Sequence, residues 1–210
     1  MLKHFLLVLL VSVSLFAGNF EKGLEAAQRG DYQTALKLWK IEANEGNLLA
    51  QFNLGIMYEH GQGVKEDYQE ALKWYKLAAK QGLTQAQFNL GIIYQNGYGV
   101  KQDYQEAVKW YKLAAKQGNF AAQFNLGRMY DKGRGVKQNY QEAAKWYKFA
   151  AKQGYAQAQL NLGVMYKYGQ GVPMDKIKAY QWLLKAAKQG NAKAQKNLDI
   201  LCKQSSWACK

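Results

Sequence analysis

A repeat of fixed length dominates this sequence. The segment AQFNLG begins at Ala50 and returns 36 residues later at Ala86 and again at Ala122, then as AQLNLG at Ala158 and AQKNLD at Ala194. Each full copy continues through a tyrosine, a glycine loop of the form G-x-G-V and a run such as DYQEAVKWYKLAAKQG. A period of about 20–50 residues is typical of arrays in which each unit buries its apolar face only against its neighbours. The sequence therefore predicts a solenoid.

Each unit is predicted to contain two antiparallel helices. Ala, Leu, Lys, Gln and Glu dominate the repeat, and no strand-like alternation of apolar and polar residues is present. Ala71, Tyr75 and Ala78 follow the spacing of a buried stripe on the second helix. We expect Gly61 to end the first helix and Asp67 to cap the start of the second.

The repeat pattern A-x-x-x-L-G-x-x-Y-x-x-G-x-G-V-x-x-D-x-x-x-A-x-x-W-Y-x-x-A-A-x-x-G resembles the Sel-one-like repeat family, the longer-looped relatives of tetratricopeptide repeats. Three units match it almost position for position and a fourth matches with substitutions. The resemblance extends from Phe20 to about Cys202. It implies an all-α fold, a right-handed α-solenoid of antiparallel helix hairpins with a C-terminal capping helix.

The repeat also predicts the domain organisation. Residues 1–18 are interpreted as a secretory signal peptide and residues 19–210 as the repeat solenoid. The solenoid is divided into a shortened first unit (19–46), full units (47–82, 83–118, 119–154 and 155–190) and a C-terminal cap (191–210). The first unit has a shorter loop than the others, which is typical of a terminal capping unit.

The N-terminal segment has the features of an export signal. Lys3 and His4 precede an apolar run at residues 5–11, and small residues follow. The run is shorter than the roughly 20 apolar residues that cross a bilayer. Cleavage is expected near Ala17, with cleavage after Ser14 or an uncleaved anchor as alternatives. We therefore expect an exported protein, either periplasmic or secreted.

Neither catalysis nor a bound metal or cofactor is expected. Beyond the signal segment the only histidine is His60, and no second ligand stands at metal-site spacing. Serine and threonine are scarce there, and S-x-x-K, G-x-S-x-G and K-T-G motifs are absent. The sequence is also similar to secreted cysteine-rich repeat proteins, some of which carry a β-lactamase or penicillin-binding label. That resemblance keeps a hydrolase of this kind as an alternative to a non-catalytic protein.

The two cysteines of the chain, Cys202 and Cys209, stand together at the end of the array. Export permits thiol oxidation, because oxidising compartments preserve disulfides. We predict that a disulfide folds the tail over the exposed final helix. A redox function is the alternative, although C-x-x-C is absent.

Lysines recur along one stripe of the second helices. The stripe comprises Lys73, Lys76 and Lys80, then Lys109, Lys112 and Lys116, then Lys145, Lys148 and Lys152. If second helices face outward, they form a basic ladder on the convex surface of a chain with net charge +14. The ladder either keeps the protein soluble or attracts it to an anionic envelope surface. Nucleic acid is not an expected partner, because export is predicted and arginine is rare.

Invariant asparagines mark one row of the repeat. They are Asn53, Asn89, Asn125, Asn161 and Asn197. Either they tie neighbouring units together, which we favour, or the row forms a groove ladder that offers amides to a peptide backbone.

Positions that differ between copies are the candidates for partner contact. These candidates are His60, Asn96, Phe120, Lys132, Lys167 and Tyr168. First helices are expected to line the concave face of a solenoid, so we expect these residues there. Drift at exposed sites is the alternative explanation. The sequence thus predicts an exported, non-catalytic scaffold that binds an unidentified protein or peptide.

Overall fold

The computed structural model describes residues 18–209, and the predicted signal segment at residues 1–17 lies outside them. The described part of the chain consists of helices and short connections and holds no strand. The helices are α1 (Asn19–Gln28), α2 (Tyr32–Asn44), α3 (Leu48–His60), α4 (Tyr68–Lys80), α5 (Thr84–Asn96), α6 (Tyr104–Lys116), α7 (Phe120–Lys132), α8 (Tyr140–Lys152), α9 (Ala156–Tyr168), α10 (Lys176–Lys188), α11 (Ala192–Gln204) and a 3-10 helix (Ser206–Cys209). Two helices per repeat are confirmed.

The helix ends follow from local sequence. The Asp67 carboxylate accepts hydrogen bonds from the backbone N–H groups of Gln69 and Glu70 at 2.9 and 3.1 Å, which satisfies otherwise free donors of α4. Gly61 closes α3 in the left-handed region, with φ of 63°, where a Cβ would be strained. Both predicted caps are confirmed.

Each hairpin closes over a glycine. Tyr147 of α8 lies on Gly127 of α7, so that a Cβ there would come within 2.7 Å of the ring. Phe124 packs beside the same ring, with the ring centroids 5.7 Å apart. The small residues Ala143 and Ala150 are fully buried in this contact zone. Glycine and alanine therefore allow the two backbones to approach, and the tyrosine fills the space between them.

The chain divides into two compact units. One holds the described residues up to Ala86 together with Tyr98–Val100, and the other holds Gln87–Gly97 and the residues from Lys101 onward. In the first unit Trp39, Leu54 and Met57 are buried in one core. In the second, Tyr111 and Leu126 are buried in one cluster, and Leu162 and Leu183 in another.

Buried glutamines join neighbouring repeats inside each unit. In the second unit the Gln123 amide donates to the Ala115 carbonyl at the end of α6, at 3.1 Å. The side-chain oxygen of Gln123 accepts a hydrogen bond from Gln153 at 2.8 Å. Gln51 makes the same two contacts in the first unit, to Ala43 and from Gln81. The glutamine amides thus add a second hydrogen bond to the Ala43 and Ala115 carbonyls, which also accept from the N–H groups of Gly46 and Gly118.

The connection between α9 and α10 also contacts the preceding repeat. Gly171 has φ of 68°, and a Cβ there would collide with the backbone carbonyl of Tyr140 at the start of α8. The repeated G-x-G therefore serves both the turn and the close approach of consecutive repeats.

The C-terminus covers the last hairpin. The 3-10 helix packs against α10 and α11, and Ala208 is buried. Cys202 and Cys209 are joined by a disulfide with a Cα–Cα distance of 5.7 Å. Among residues 18–209, no helix combines the length and the apolar character needed to cross a bilayer.

Candidate binding surface

Four of the six candidate partner-binding residues occupy the same structural position. His60, Asn96, Lys132 and Tyr168 are the last residues of α3, α5, α7 and α9. All four are exposed. Tyr168 has 58% of its surface accessible, which is high for a large aromatic side chain. The invariant glycine that follows each helix fixes the backbone position of the helix's last residue, while the side chain at that position differs between repeats.

Phe120 lies at the opposite end of its helix. It is the first residue of α7 and Lys132 is the last, so the two are separated by about 18 Å along the helix at 1.5 Å per residue. Phe120 is 46% exposed, and its ring lies 5.3 Å from that of Tyr155. The structure therefore does not bring Phe120 together with the helix-end residues.

Lys167 is not accessible to a partner, which corrects its selection as a contact residue. Only 6% of its surface is exposed, and its ammonium group has no hydrogen-bond partner among the described residues. It lies over the Tyr168 ring, 5.1 Å from the centroid. In an earlier repeat the equivalent residue, Gln95, accepts a hydrogen bond from the Tyr111 hydroxyl at 3.2 Å. Leu183 replaces that tyrosine in the last repeat and offers no hydroxyl.

Two asparagines of the row lie against a tyrosine of the preceding repeat. Asn125 of α7 lies beside the hydroxyl of Tyr111, which belongs to the preceding repeat and donates to Gln95 at 3.2 Å. Asn161 lies beside the Tyr147 hydroxyl in the same way, although that buried hydroxyl has no partner of good geometry among the described residues. These contacts support the structural role of Asn125 and Asn161 over that of a groove ladder.

Burial raises the pKa of the two tyrosines. For Tyr111, desolvation raises the pKa well above its ordinary value of 10.0, and the Asn125 side chain beside the hydroxyl lowers it in partial compensation. For Tyr147, desolvation again raises the pKa most, and the nearby Asp131 carboxylate adds to the effect. Both hydroxyls therefore stay protonated and serve packing.

The second helices carry a regular basic stripe. Lys145 pairs with Glu142 at 3.3 Å, and the same contact three residues apart links Lys73 with Glu70. These side chains are half exposed or more at the lysine end. Exposed pairs of this kind contribute little to stability and are screened by salt. The stripe consequently remains available to anionic partners.

One serine hydroxyl meets an amine, as in some hydrolases. The Lys176 ammonium donates to the Ser205 hydroxyl at 2.7 Å. Ser205 is only 3% exposed, so a substrate carbonyl cannot approach its oxygen. Within residues 18–209, no group of three His, Cys, Asp or Glu side chains is arranged to hold a metal ion.

Sequence reasoning missed the buried glutamines. Gln51, Gln87, Gln123 and Gln159 are each nearly fully buried at the junction between repeats. The available signal was their invariance, because each follows the first alanine of the repeat marker, as does the exposed Gln195. Because these glutamines are buried and hold the helices together, they cannot contact a partner. The candidate binding surface is therefore limited to the exposed helix ends.

A buried, invariant framework of helix hairpins with exposed, variable helix ends defines the class of helical-repeat scaffolds. The model of the Sel1 repeat family matches residues 48–83, 84–119, 120–155 and 156–191. The chain belongs to the Sel1 repeat family, whose members are scaffold proteins that generally bind other proteins.

Solved structures of the same fold support this assignment. A protective antigen present in uropathogenic Escherichia coli strains, with an SLR fold, is 38% identical with a TM-score of 0.85. The similarity covers 89% of this chain and 41% of that one, so this chain spans less than half of its length. A Sel1 repeat protein from Oxalobacter formigenes is 36% identical with a TM-score of 0.82, over 87% of this chain and 75% of that chain.

The cysteine-rich relatives are more distant. Helicobacter pylori cysteine rich protein B is 22% identical with a TM-score of 0.51, over 64% of this chain and 97% of that chain, and shares the fold. Comparison with curated protein sequences finds no match.

Proposed function

We propose that this protein is an exported, non-catalytic scaffold that binds another protein or a peptide through the ends of its first helices. The observation that carries the proposal is the contrast within the second compact unit. There the framework residues of each first helix are invariant and buried, whereas Asn96, Lys132 and Tyr168 at the helix ends are exposed and all different. Such a surface changes its contacts without disturbing the fold.

The chemistry of these residues suits protein recognition. Tyr168 offers a large, rigid, amphipathic ring, the kind of side chain that contributes most to protein–protein binding energy. Lys132 is paired with Asp131 at 3.1 Å, and its side chain is 64% exposed. An aromatic anchor beside a polar rim is the usual anatomy of an interface.

Two features support export to the periplasm or the medium. The predicted signal segment precedes the first helix, and a disulfide between Cys202 and Cys209 is stable only in an oxidising compartment. Fractionation of the native host, with mass spectrometry of the N-terminal peptide, tests the localisation. We expect a mature chain that begins near Gly18 outside the cytoplasm. An intact chain in the cytosolic fraction would contradict export.

Site-specific photocrosslinking tests the binding surface. Benzoylphenylalanine replaces Tyr168 in one variant and Tyr140, a 38% exposed aromatic residue at the start of α8, in the matched control. Both variants are irradiated in intact cells. A discrete adduct with one protein at position 168 and none at position 140 is the expected result. Adducts at position 140 alone would place the interface elsewhere.

Substitution of the same surface should remove the adduct partner. The variant N96A/K132A/Y168A is compared with K73Q/K109Q/K145Q, which reduces the charge of the basic stripe instead. We expect the first to lose the partner with its helical circular dichroism intact and the second to retain it at physiological salt. Loss in the lysine variant alone would instead indicate a cationic scaffold held at an anionic envelope surface. Nitrocefin turnover proportional to enzyme concentration would overturn the non-catalytic assignment.

A further inference from the structure

A cleft of about 390 Å³ opens in the second compact unit, between α8 and α9. Its apolar lining includes the exposed Phe149 and the half-buried Val172, with the fully buried Leu162 beneath them. Lys148 and Lys152 line it from α8, together with Lys145. Phe149 is 45% exposed, so an apolar surface large enough to hold a side chain is open to solvent beside three amines.

A change in the repeated lysine–tyrosine contact accompanies the cleft. In earlier repeats a second-helix lysine covers the tyrosine of the next first helix: Lys112 lies 5.6 Å from the centroid of the Tyr130 ring. The equivalent residues at the cleft are Lys148 and Tyr166, and here the ring is covered from α10 by Lys178, at 5.6 Å. Lys148 is thereby released from the contact that the repeat predicts.

The residue responsible is visible in the sequence. Position 178 is lysine, whereas the equivalent positions in the three preceding repeats are Glu70, Glu106 and Glu142. A glutamate at this point pairs with the lysine three residues later, as Glu142 does with Lys145 at 3.3 Å. Lys178 instead pairs with Asp175 at 2.8 Å and reaches the Tyr166 ring.

The amines of the cleft are therefore unequal. Lys145 is neutralised by Glu142. The ammonium groups of Lys148 and Lys152 make no hydrogen bond, ion pair or ring contact within residues 18–209. Two exposed ammonium groups without an acidic neighbour, beside an exposed apolar ring, are complementary to a ligand that brings both carboxylates and an apolar group.

We propose that this cleft docks an acidic segment of the partner protein, with one apolar side chain on Phe149 and Val172 and carboxylates on Lys148 and Lys152. The proposal rests on the proposed scaffold function and names a second contact for the same partner. It explains why the lysines are arranged around a concavity, where an anchored side chain holds the adjacent carboxylates in register.

Charge and shape disfavour other occupants. A second copy of this chain carries a net charge of +14, so two copies repel each other at a basic cleft. The N-terminal segment at residues 1–17 contains no aspartate or glutamate to meet the lysines. A flat anionic bilayer would contact exposed lysines of other second helices, such as Lys73 and Lys109, as readily as those of the cleft.

Fluorescence anisotropy with a defined probe tests the proposal. The probe is a fluorescein-labelled EELFEE peptide, with QQLFQQ and EEGGEE as controls for charge and apolar contact. K148E/K152E is compared with K112E/K116E, which changes the equivalent lysines of α6 and alters net charge equally. We expect K148E/K152E to weaken EELFEE binding roughly tenfold or more and the control to weaken it less than about twofold, since distant exposed charges are screened.

The apolar contact has its own variant. F149A should weaken EELFEE binding at least threefold and leave the residual binding of EEGGEE unchanged. Circular dichroism of each variant shows that the helices are retained. The proposal is overturned if wild-type protein does not bind EELFEE, if both double variants lose binding equally, or if F149A has no effect.

Two further arms separate this proposal from its rivals. Vesicles of phosphatidylglycerol that bind wild-type protein but not K148E/K152E, without peptide binding, would make the cleft a lipid site and overturn the proposal. Benzoylphenylalanine in place of Phe149 should yield the same adduct as at position 168. An adduct at position 168 alone would overturn the cleft contact and leave the proposed scaffold function standing.

Discussion

Leu183 lies directly against Gly163, so closely that a Cβ on the glycine would come within 2.8 Å of the leucine Cγ. One repeat earlier the same contact joins Tyr147 to Gly127. The exchange of tyrosine for leucine preserves the close approach of the two helices, because both side chains cover the glycine. It removes the hydroxyl that lies at the far end of the ring.

The loss of that hydroxyl leaves Lys167 buried without a hydrogen-bond partner among the described residues. K167M should therefore increase the free energy of unfolding by about 1 kcal/mol, because a buried polar head is replaced by a flexible apolar side chain. Urea denaturation followed by circular dichroism measures the change. K132M, at an exposed lysine one repeat earlier, should alter stability by less than about 0.5 kcal/mol. A loss of stability in K167M would show that the ammonium group is bonded in solution.

The buried tyrosines predict a loss of stability in alkali. Burial raises the pKa of Tyr111 and Tyr147 above the ordinary value of 10.0, so the folded state holds their protons while the unfolded state releases them. Their contribution to stability is present below pH 10 and decreases as pH rises above it, by up to about 1.4 kcal/mol per pH unit for each group. In Y111F the free energy of unfolding should decrease less steeply with pH, by the contribution of one tyrosine. Tyrosinate absorbance at 295 nm should show that the buried tyrosines of the folded wild type ionise at higher pH than free tyrosine. Equal slopes in both proteins would contradict the prediction.

The disulfide should stabilise the C-terminus locally. By loop entropy, so short a ring contributes roughly 2–3 kcal/mol. Because repeats contact only their neighbours, C202A/C209A should accelerate amide hydrogen exchange in α11 and the 3-10 helix and leave α6–α8 unchanged. Non-reducing mass spectrometry of the exported chain should also find it two hydrogens lighter than the thiol form. Free thiols in that material would contradict the bond seen between Cys202 and Cys209.

Most of the fold is predictable from the repeat itself. Because the same residues recur every 36 positions, helix caps such as Asp67 and Gly61 can be predicted from the sequence. The burial of Lys167 was missed, because comparing copies shows that position 167 varies but not that its partner at position 183 has changed. Reading the two positions together would have indicated it.

The cleft between α8 and α9 is harder to predict from the sequence. Lys148 stands at the same repeat position as Lys112, and although the sequence shows lysine at position 178 in place of the repeated glutamate, it does not show which ring that lysine covers. Their difference arises from Lys178, which competes for the Tyr166 ring across the helix interface. That competition depends on side-chain direction in three dimensions, which a repeat alignment does not contain.

The buried glutamines provide the sharpest test of the framework. Gln123 donates to the Ala115 carbonyl at 3.1 Å and accepts from Gln153 at 2.8 Å, both at the junction between repeats. Q123L should decrease the free energy of unfolding by about 2 kcal/mol, because it removes two hydrogen bonds made by a nearly fully buried amide. Hydrogen exchange should increase at the end of α6 and the start of α7.

Gln195 supplies the matched control, because it holds the same repeat position in α11 but is exposed, and its side-chain amide donates to Asp199 on its own helix at 2.8 Å. Q195L should change stability by less than about 0.5 kcal/mol, since this side chain is exposed. Both variants carry the same substitution at the same repeat position, within AQFNLG at Gln123 and AQKNLD at Gln195, and the two glutamines differ in burial. Equal losses in Q123L and Q195L would mean that leucine disturbs the helix itself. The junction hydrogen bonds would then not hold consecutive repeats together.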